Sequence, residues 1–328
     1  MSEYRTVRPR RLAAALALLA LAGLIAAAAW RADALLRTAL DGRRARPQAE
    51  ETTSEYTLRA EMRRQQAATR VGGWLSVVTP ERVTLEGARG TLRADVYPPI
   101  GGEQGAPWAI ALHGGPGTSG AQVQDVACEL SLAGYNVLVP DLYAHGQSAG
   151  NVSSLGVLDA RDVRAWIDWV IAREGETRIV LMGQDEGALA VLLAAGEGLP
   201  AAVKCAALDS VCVNLRAQSE RYLSEIGAGG ALDALLFAAA FRVLTGVSLE
   251  SVDPMASAAA CEIPLLVVSG TFDAETPAWQ GEDIAGAAQN ARLLLIEGAA
   301  HGMARYVDRE AYYGAMLALF DGCVREEE

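Results

Sequence analysis

Aromatic side chains make up only 6% of the 328 residues, histidine occurs three times, and five cysteines are scattered along the chain. No CxxC or Cys/His spacing links those cysteines, which excludes the common cysteine-built metal sites. Nothing else in the chain calls for a metal or a cofactor. Cys205 falls in an apolar run and reads as inert core, whereas Cys212 and Cys261 flank one segment and are the pair open to bonding after export. Positive charge is lacking too. A formal net charge of −12 excludes nucleic acid as a partner, because phosphate binding needs a concentrated basic face. Arginines do cluster, but only in the N-terminal part.

What is present is apolar. Hydrophobic residues are 51% of the chain, alanine use is heavy, and the length suits one large α/β domain with appendages. Leu12 to Trp30 is uncharged over about 19 residues, the length that crosses a bilayer core as a helix. Arg5, Arg8, Arg10 and Arg11 precede it in a short basic tail, residues 1–11. Ala26 to Ala29 offers small residues for signal cleavage, but the apolar run is longer than a usual signal core, so an uncleaved anchor over 12–30 is expected. Arg31, Arg37, Arg43, Arg44 and Arg46 follow and nearly cancel the charge bias. The short basic N-terminus favours an inside N-terminus, with the remaining chain extracytoplasmic. Residues 31–80 read as a polar, helix-prone spacer without chemistry of its own.

From Glu81 the pattern changes. Arg82–Glu86 and Thr91–Tyr97 alternate around Gly87 and Gly90, like an antiparallel hairpin at a sheet edge. Apolar strands then alternate with helices: Trp108–Leu112, Asn136–Pro140, Arg178–Met182, Val203–Leu208, Pro264–Ser269 and Ala291–Ile296. This rhythm predicts an α/β fold, a mostly parallel doubly wound sheet built from residues 81–210 and 261–328. The interruption at 211–260 holds the very apolar Ala231–Phe241. It suits a small helical cap over a pocket, or an extra packed helix pair.

Within this rhythm, Ile179–Met182 is a strand run that breaks at Gly183, and an Ala/Leu-rich helix follows Gly187. A strand, a turn with glycines two either side of one residue, and a helix form the backbone signature of a nucleophile elbow. The glycines let the chain through a cramped turn, and the central residue stands above the sheet at a helix N-terminus. That residue is Asp185, where such enzymes mostly carry Ser. Asp273 and His301 each follow one of the last two strands, giving the order nucleophile, acid, histidine. His113–Gly117 reads HGGPG and predicts an oxyanion loop with the Gly115 N–H as donor, joined by the N–H of Glu186. His145 is expected to tie a loop. Gly146–Gly150 is a literal GxSxG around Ser148, but its strand ends near Pro140 and no helix begins until about Gly156, so Ser148 lies off the elbow.

These motifs, spread over roughly residues 81–325, resemble the α/β-hydrolase superfamily: HGGPG at 113–117, DLYAHGQS at 141–148, the elbow, GTFD at 270–273 and GAAH at 298–301. With the anchor and compact cap, the chain looks like bacterial membrane-anchored serine hydrolases of esterase, lipase or peptidase type; HGGPG also occurs in proline iminopeptidases. The resemblance implies Ser at 185, and the sequence departs from it there. Haloalkane dehalogenases and epoxide hydrolases of this fold use Asp, usually followed by an aromatic residue or Arg, where this chain has Glu186. Tyr222 is the one tyrosine of the cap that could serve ring opening. Two readings follow. In the first, a membrane-anchored hydrolase acts on a small uncharged substrate through Asp185, Asp273 and His301. In the second, Ser has been lost at 185 and a pseudo-hydrolase binds a ligand or partner in the old pocket. The expected partners are a small molecule and the lipid bilayer around the N-terminal helix; substrate-binding residues are not identifiable.

Overall fold

The computed structural model describes residues 9–44, 55–101 and 105–325. Arg5, Arg8 and Arg46 lie outside the described residues. Two helices come first, α1 (Pro9–Ala39) and α2 (Glu55–Leu75). The strands are β1 (Glu81–Gly87), β2 (Gly90–Tyr97), β3 (Trp108–Leu112), β4 (Asn136–Asp141), β5 (Ile179–Gln184), β6 (Val203–Asp209), β7 (Leu265–Gly270) and β8 (Ala291–Ile296). Between and after them come α3 (Gln124–Leu132), α4 (Asp159–Glu174), α5 (Glu186–Gly196), α6 (Leu215–Glu225), α7 (Ala231–Thr245), α8 (Pro254–Ala260), α9 (Ala278–Ala287), α10 (Ala304–Val307) and α11 (Arg309–Arg325).

The strands form one sheet in the order β1-β2-β4-β3-β5-β6-β7-β8. β1, β2 and β4 are antiparallel at one edge, and from β4 through β8 every neighbour is parallel. Side-chain alternation explains why both faces are covered. On β3, Trp108, Ile110 and Leu112 point into a core with Val163 and Trp166 of α4 and Ala188 of α5. Ala109 and Ala111 point the other way, to Val126 of α3 and Met316 and Phe320 of α11. β5 repeats this, with Ile179 and Leu181 on one face and Val180 and Met182 on the other. A strand buried on both faces reads as a continuous apolar run, which is how β3, β5 and β7 look in the sequence.

α1 passes residue 30 without a break. Its stretch from Leu16 to Ala39 is long and apolar enough to cross a membrane, and Leu16, Leu19, Leu24 and Ile25 stand exposed. Beyond Trp30 the helix docks. Leu35, Leu36, Ala39 and Leu40 are buried in a third core with Phe237 and Phe241 of α7, Tyr222 and Leu223 of α6, and Leu189 of α5. The following turn is stitched to the body by Arg43, which donates to the Ser148 carbonyl (2.7 Å) and to Asn151 Oδ1 (2.8 Å). α2 buries Ala60 and Trp74, and the Trp74 indole donates to Ser131 Oγ at 3.2 Å. Both N-terminal helices are therefore part of the packed body, and the stretch read from sequence as a spacer contributes to two of its three cores.

Candidate active site

β3, β5, β7 and β8 all run in one direction, so the loops leaving their C-terminal ends collect at one edge of the sheet, the usual place for a ligand crevice in such folds. The loop after β5 is a sharp turn. Asp185 sits at φ 51° and ψ −114°, a conformation that costs a non-glycine residue energy and must be held by its surroundings. Its N–H donates to the Asp209 carbonyl at 2.9 Å, and its own carbonyl accepts from Leu189, the first full turn of α5. The flanking glycines are needed for space. A Cβ on Gly183 would fall 2.5 Å from the Gly187 carbonyl oxygen, and one on Gly187 would press into the His113 carbonyl.

Asp185, Asp273 and His301 meet at this edge. The His301 Nδ1 lies 3.0 Å from Asp273 Oδ2, and its Nε2 lies 3.8 Å from Asp185 Oδ2. Asp273 is fixed by the N–H groups of Glu275 (2.9 Å) and Thr276 (2.8 Å) on Oδ1 and by the Thr276 hydroxyl (2.7 Å) on Oδ2. Burial alone would lower the imidazole pKa, but the Asp273 and Asp185 carboxylates override it and hold His301 well above its ordinary value. Burial also works against the charge on Asp185, yet the facing imidazolium, Arg221 and the Gly115 N–H keep it below the ordinary carboxylate range. Asp273 is lowered in the same way, by His301 and the Thr276 donors against burial.

The Gly115 N–H donates to Asp185 Oδ2 at 3.1 Å. The carboxylate thus occupies the place where an oxyanion donor points. Glu186 opens α5, and its buried side chain turns back beneath the same loop, with Oε2 accepting from the Ser153 hydroxyl at 2.7 Å. A Cβ on Gly115 would lie 2.8 Å from Glu186 Oε1, 3.0 Å from Asp185 Oδ2 and 3.1 Å from the Tyr222 hydroxyl, so a larger residue there would have to displace the ends of the site's own side chains.

Two contributors were not legible as a pair. From α6, Gln218 Nε2 donates to Asp185 Oδ1 (3.2 Å) and to the Tyr222 hydroxyl (2.9 Å). Their four-residue spacing on a helix is the available signal, since it puts both on one face. The second is α2. A cavity of about 530 Å³ opens above Asp185 and His301, and its walls include Gly115, Tyr222 and Phe272 together with Thr57, Glu61 and Arg64 of α2. Tyr56 packs edge-on against Phe272, with ring centroids 6.0 Å apart.

The remaining histidines hold loops. His113 Nε2 accepts from the Leu142 N–H at 2.9 Å, which leaves Nδ1 as the donor toward the Gly114 carbonyl. His145 Nδ1 sits 2.9 Å from the Tyr143 carbonyl, and burial lowers both imidazoles. Ser148 is committed elsewhere: its hydroxyl donates to the Asp141 carbonyl (2.7 Å) and accepts from the Arg93 N–H (2.9 Å). Beneath the site lies Arg305, wholly buried. Its guanidinium reaches Asp125 Oδ2 (2.7 Å), Gln184 Oε1 (3.1 Å), the Gly302 carbonyl (3.3 Å) and the Gln122 carbonyl (2.9 Å). Gln122 in turn accepts from the Gly114 N–H at 2.7 Å, so one cation ties the elbow, the His301 loop and the oxyanion loop together.

The carboxylate–imidazolium–carboxylate row fixes a stability window. His301 is raised when folded, so its contribution is complete below its ordinary value of 6.5 and is lost as pH rises through the higher folded value. Asp185 and Asp273 are lowered, so theirs is complete above 3.8 and is lost as pH falls through the lower folded values. Thermal melts should therefore show this contribution in full between those two values. Asp185→Asn should move the alkaline loss to lower pH; an unchanged alkaline limb in that variant would rule the row out as its source.

The family model for the alpha/beta hydrolase fold matches residues 107–230, and that for TAP-like proteins matches residues 245–312. Among solved structures, an esterase from Pyrococcus furiosus superposes with a TM-score of 0.60 at 18% identity, covering 85% of this chain and 98% of its own. Est1E from Butyrivibrio proteoclasticus gives 0.58 at 18%, covering 73% and 98%. A hydrolase from Pseudomonas aeruginosa gives 0.54 at 21%, also covering 73% and 98%. No curated protein sequence matches. The strand order, the elbow between β5 and α5, and two family models that together span both sides of the cap agree, and the chain belongs to the α/β-hydrolase superfamily.

Proposed function

We propose that this protein is a membrane-anchored hydrolase that opens a small uncharged alkyl electrophile, such as an epoxide, with Asp185 as nucleophile and Asp273 and His301 as orienting acid and base. The observation that carries this reading is the 3.1 Å bond from the Gly115 N–H to Asp185 Oδ2. A carboxylate attacking an acyl carbon would yield a reactive anhydride. On an sp3 carbon it yields an ester, whose carbonyl oxygen would be Oδ2, already facing its donor. Oδ1, held by Gln218, is the attacking oxygen; the bond to the leaving oxygen breaks, and that oxygen takes a proton from the Tyr222 hydroxyl or water. Forming the ester removes the charge on Asp185, so His301 loses one of the two carboxylates that raise it. Its proton passes to the donor that protonated the leaving oxygen, and the neutral imidazole then deprotonates the water that attacks Cγ. The tetrahedral oxyanion on Oδ2 collapses, the alcohol departs with the proton taken from water, one water oxygen stays in Asp185, and the proton of the new carboxyl returns to His301.

Single turnover of styrene oxide in H₂¹⁸O should therefore add 2 Da to the peptide carrying Asp185, and Asp185→Asn should not turn over. Label in the diol alone would mean direct attack of water and would sink the nucleophile role. The extracytoplasmic placement of the pocket belongs to the same proposal and is supported by Arg5, Arg8, Arg10 and Arg11 ahead of the apolar run.

A second reading has its own support. Both oxygens of Asp185 are engaged, the imidazole is held charged, and Glu186 adds a carboxylate behind the donor loop, as suits a pseudo-hydrolase whose pocket binds without turnover. Absence of any labelled Asp185 or product, with a folded protein, would favour it.

A further inference from the structure

We infer that the first two turns of α7 form a second membrane contact, seated in the lipid interface beside the point where α1 leaves the bilayer. This rests on α1 being a membrane anchor. The two sides of α7 differ sharply. Phe237 and Phe241 are fully buried against the end of α1 and the cap, whereas Leu232 and Leu235 are each 67% exposed on the other side. Their three-residue spacing places them on one face. A pair of exposed leucines alone would mean little; its position gives it meaning.

Those leucines lie beside the emerging anchor. Arg31, the first charged residue after the apolar run, makes a two-pronged ion pair with Asp233, from Nε to Oδ1 at 3.0 Å and from the second nitrogen to Oδ2 at 2.8 Å. Asp233 is the only ionisable residue in the first two turns of α7, so the bond neutralises that helix's own charge there, while Arg216, Glu220 and Glu250 border the groove beside Leu235. Trp30, next to it on α1 and largely exposed, is the residue type that settles at the headgroup level. The apolar surface of α1, from Leu16 to Ile25, thus continues across Trp30 and the neutralised pair onto Leu232 and Leu235. An amphipathic helix at this boundary buries its apolar face roughly 5–10 Å into the headgroup and acyl region. Lipid is the occupant this continuity selects.

The test uses the full-length protein in phosphatidylcholine vesicles, with Cys323→Ser to remove the one cysteine that is not buried. Leu21→Cys and Leu235→Cys, each labelled with a nitrobenzoxadiazole probe, report the anchor and α7 separately. Nitroxide lipids labelled near the headgroup should quench the Leu235 probe, and lipids labelled deep in the chain should quench the Leu21 probe. Quenching at Leu21 with none at Leu235 overturns the α7 contact and leaves the anchor standing. No quenching at either site overturns both. Shielding of the Leu235 probe from aqueous iodide without lipid quenching assigns the face to protein, a second copy included, and also overturns the proposal.

Discussion

Asp185→Ser should hydrolyse p-nitrophenyl acetate at least about 100-fold faster than the wild-type protein, the lower end of what one positioned base or oxyanion donor contributes. Three changes act together. The substitution removes one of the two carboxylates that raise His301, so the imidazole falls toward its ordinary value and can take a proton from the new hydroxyl. It vacates the Gly115 N–H, which now donates to Asp185 Oδ2 and would then serve the oxyanion of the ester. The backbone at φ 51° already carries a non-glycine residue, so the elbow asks no new strain of serine. Glu186 works against the gain by placing a carboxylate behind the donor loop, and Glu186→Gln in the same chain should raise the rate further. A folded Asp185→Ser protein with no gain would mean the pocket is no longer arranged for acyl transfer. Fast ester hydrolysis by wild type, untouched in Asp185→Ala, would place the nucleophile elsewhere.

Arg305→Met should be among the most damaging single changes to stability. The guanidinium is fully enclosed, and it serves Asp125, Gln184, Gln122 and Gly302 while lying 3.8 Å from Asp209 Oδ2. Removing it leaves the Asp125 carboxylate without its cation and takes a nearby positive charge from Asp209, which keeps the Ser210 and Tyr312 hydroxyls; breaking a buried pair from one side costs about 3–5 kcal/mol. In a domain of this size that is a fall in Tm of roughly 6–20 °C. Arg305→Lys keeps a charge but not the planar fork, so it should fall between the two. A melt displaced by less than about 1 kcal/mol in Arg305→Met would show the carboxylates to be satisfied without it.

The sheet was legible because its strands are buried on both faces. Trp108–Leu112, an apolar run between Pro107 and His113, keeps its limits in the fold, and the strand expected over Arg178–Met182 runs from Ile179 to Gln184. Asp185, Asp273 and His301 could be named because each follows a strand, and the parallel sheet brings strand ends together. Gln218 could not, since the reach of its amide to Asp185 depends on how α6 settles over the elbow. Arg305 belongs to no motif in the sequence; only the placement of Asp125 of α3 against it reveals an enclosed cation. The role of α2 was hidden for a related reason. Thr57, Glu61 and Arg64 form a polar face that resembles a solvated helix, and they line a cavity only because Ala60 and Trp74 fix the other face to the body.

The unbroken passage of α1 from its exposed apolar half into the buried core of the cap has a mechanical meaning. A protein tied to a bilayer by a loose linker explores a dome of positions above the surface, and its pocket meets substrate at any height within reach. Here the nine residues from Arg31 to Ala39 are rigid helix, about 12 Å of rise from first to last at 1.5 Å per step, and their far end is wedged beside Phe237, Phe241 and Leu189. With α1 in a membrane, the pocket is carried at one fixed distance from the lipid. A change of tilt in the span would turn the cap, and through Leu189 the elbow helix, as one lever.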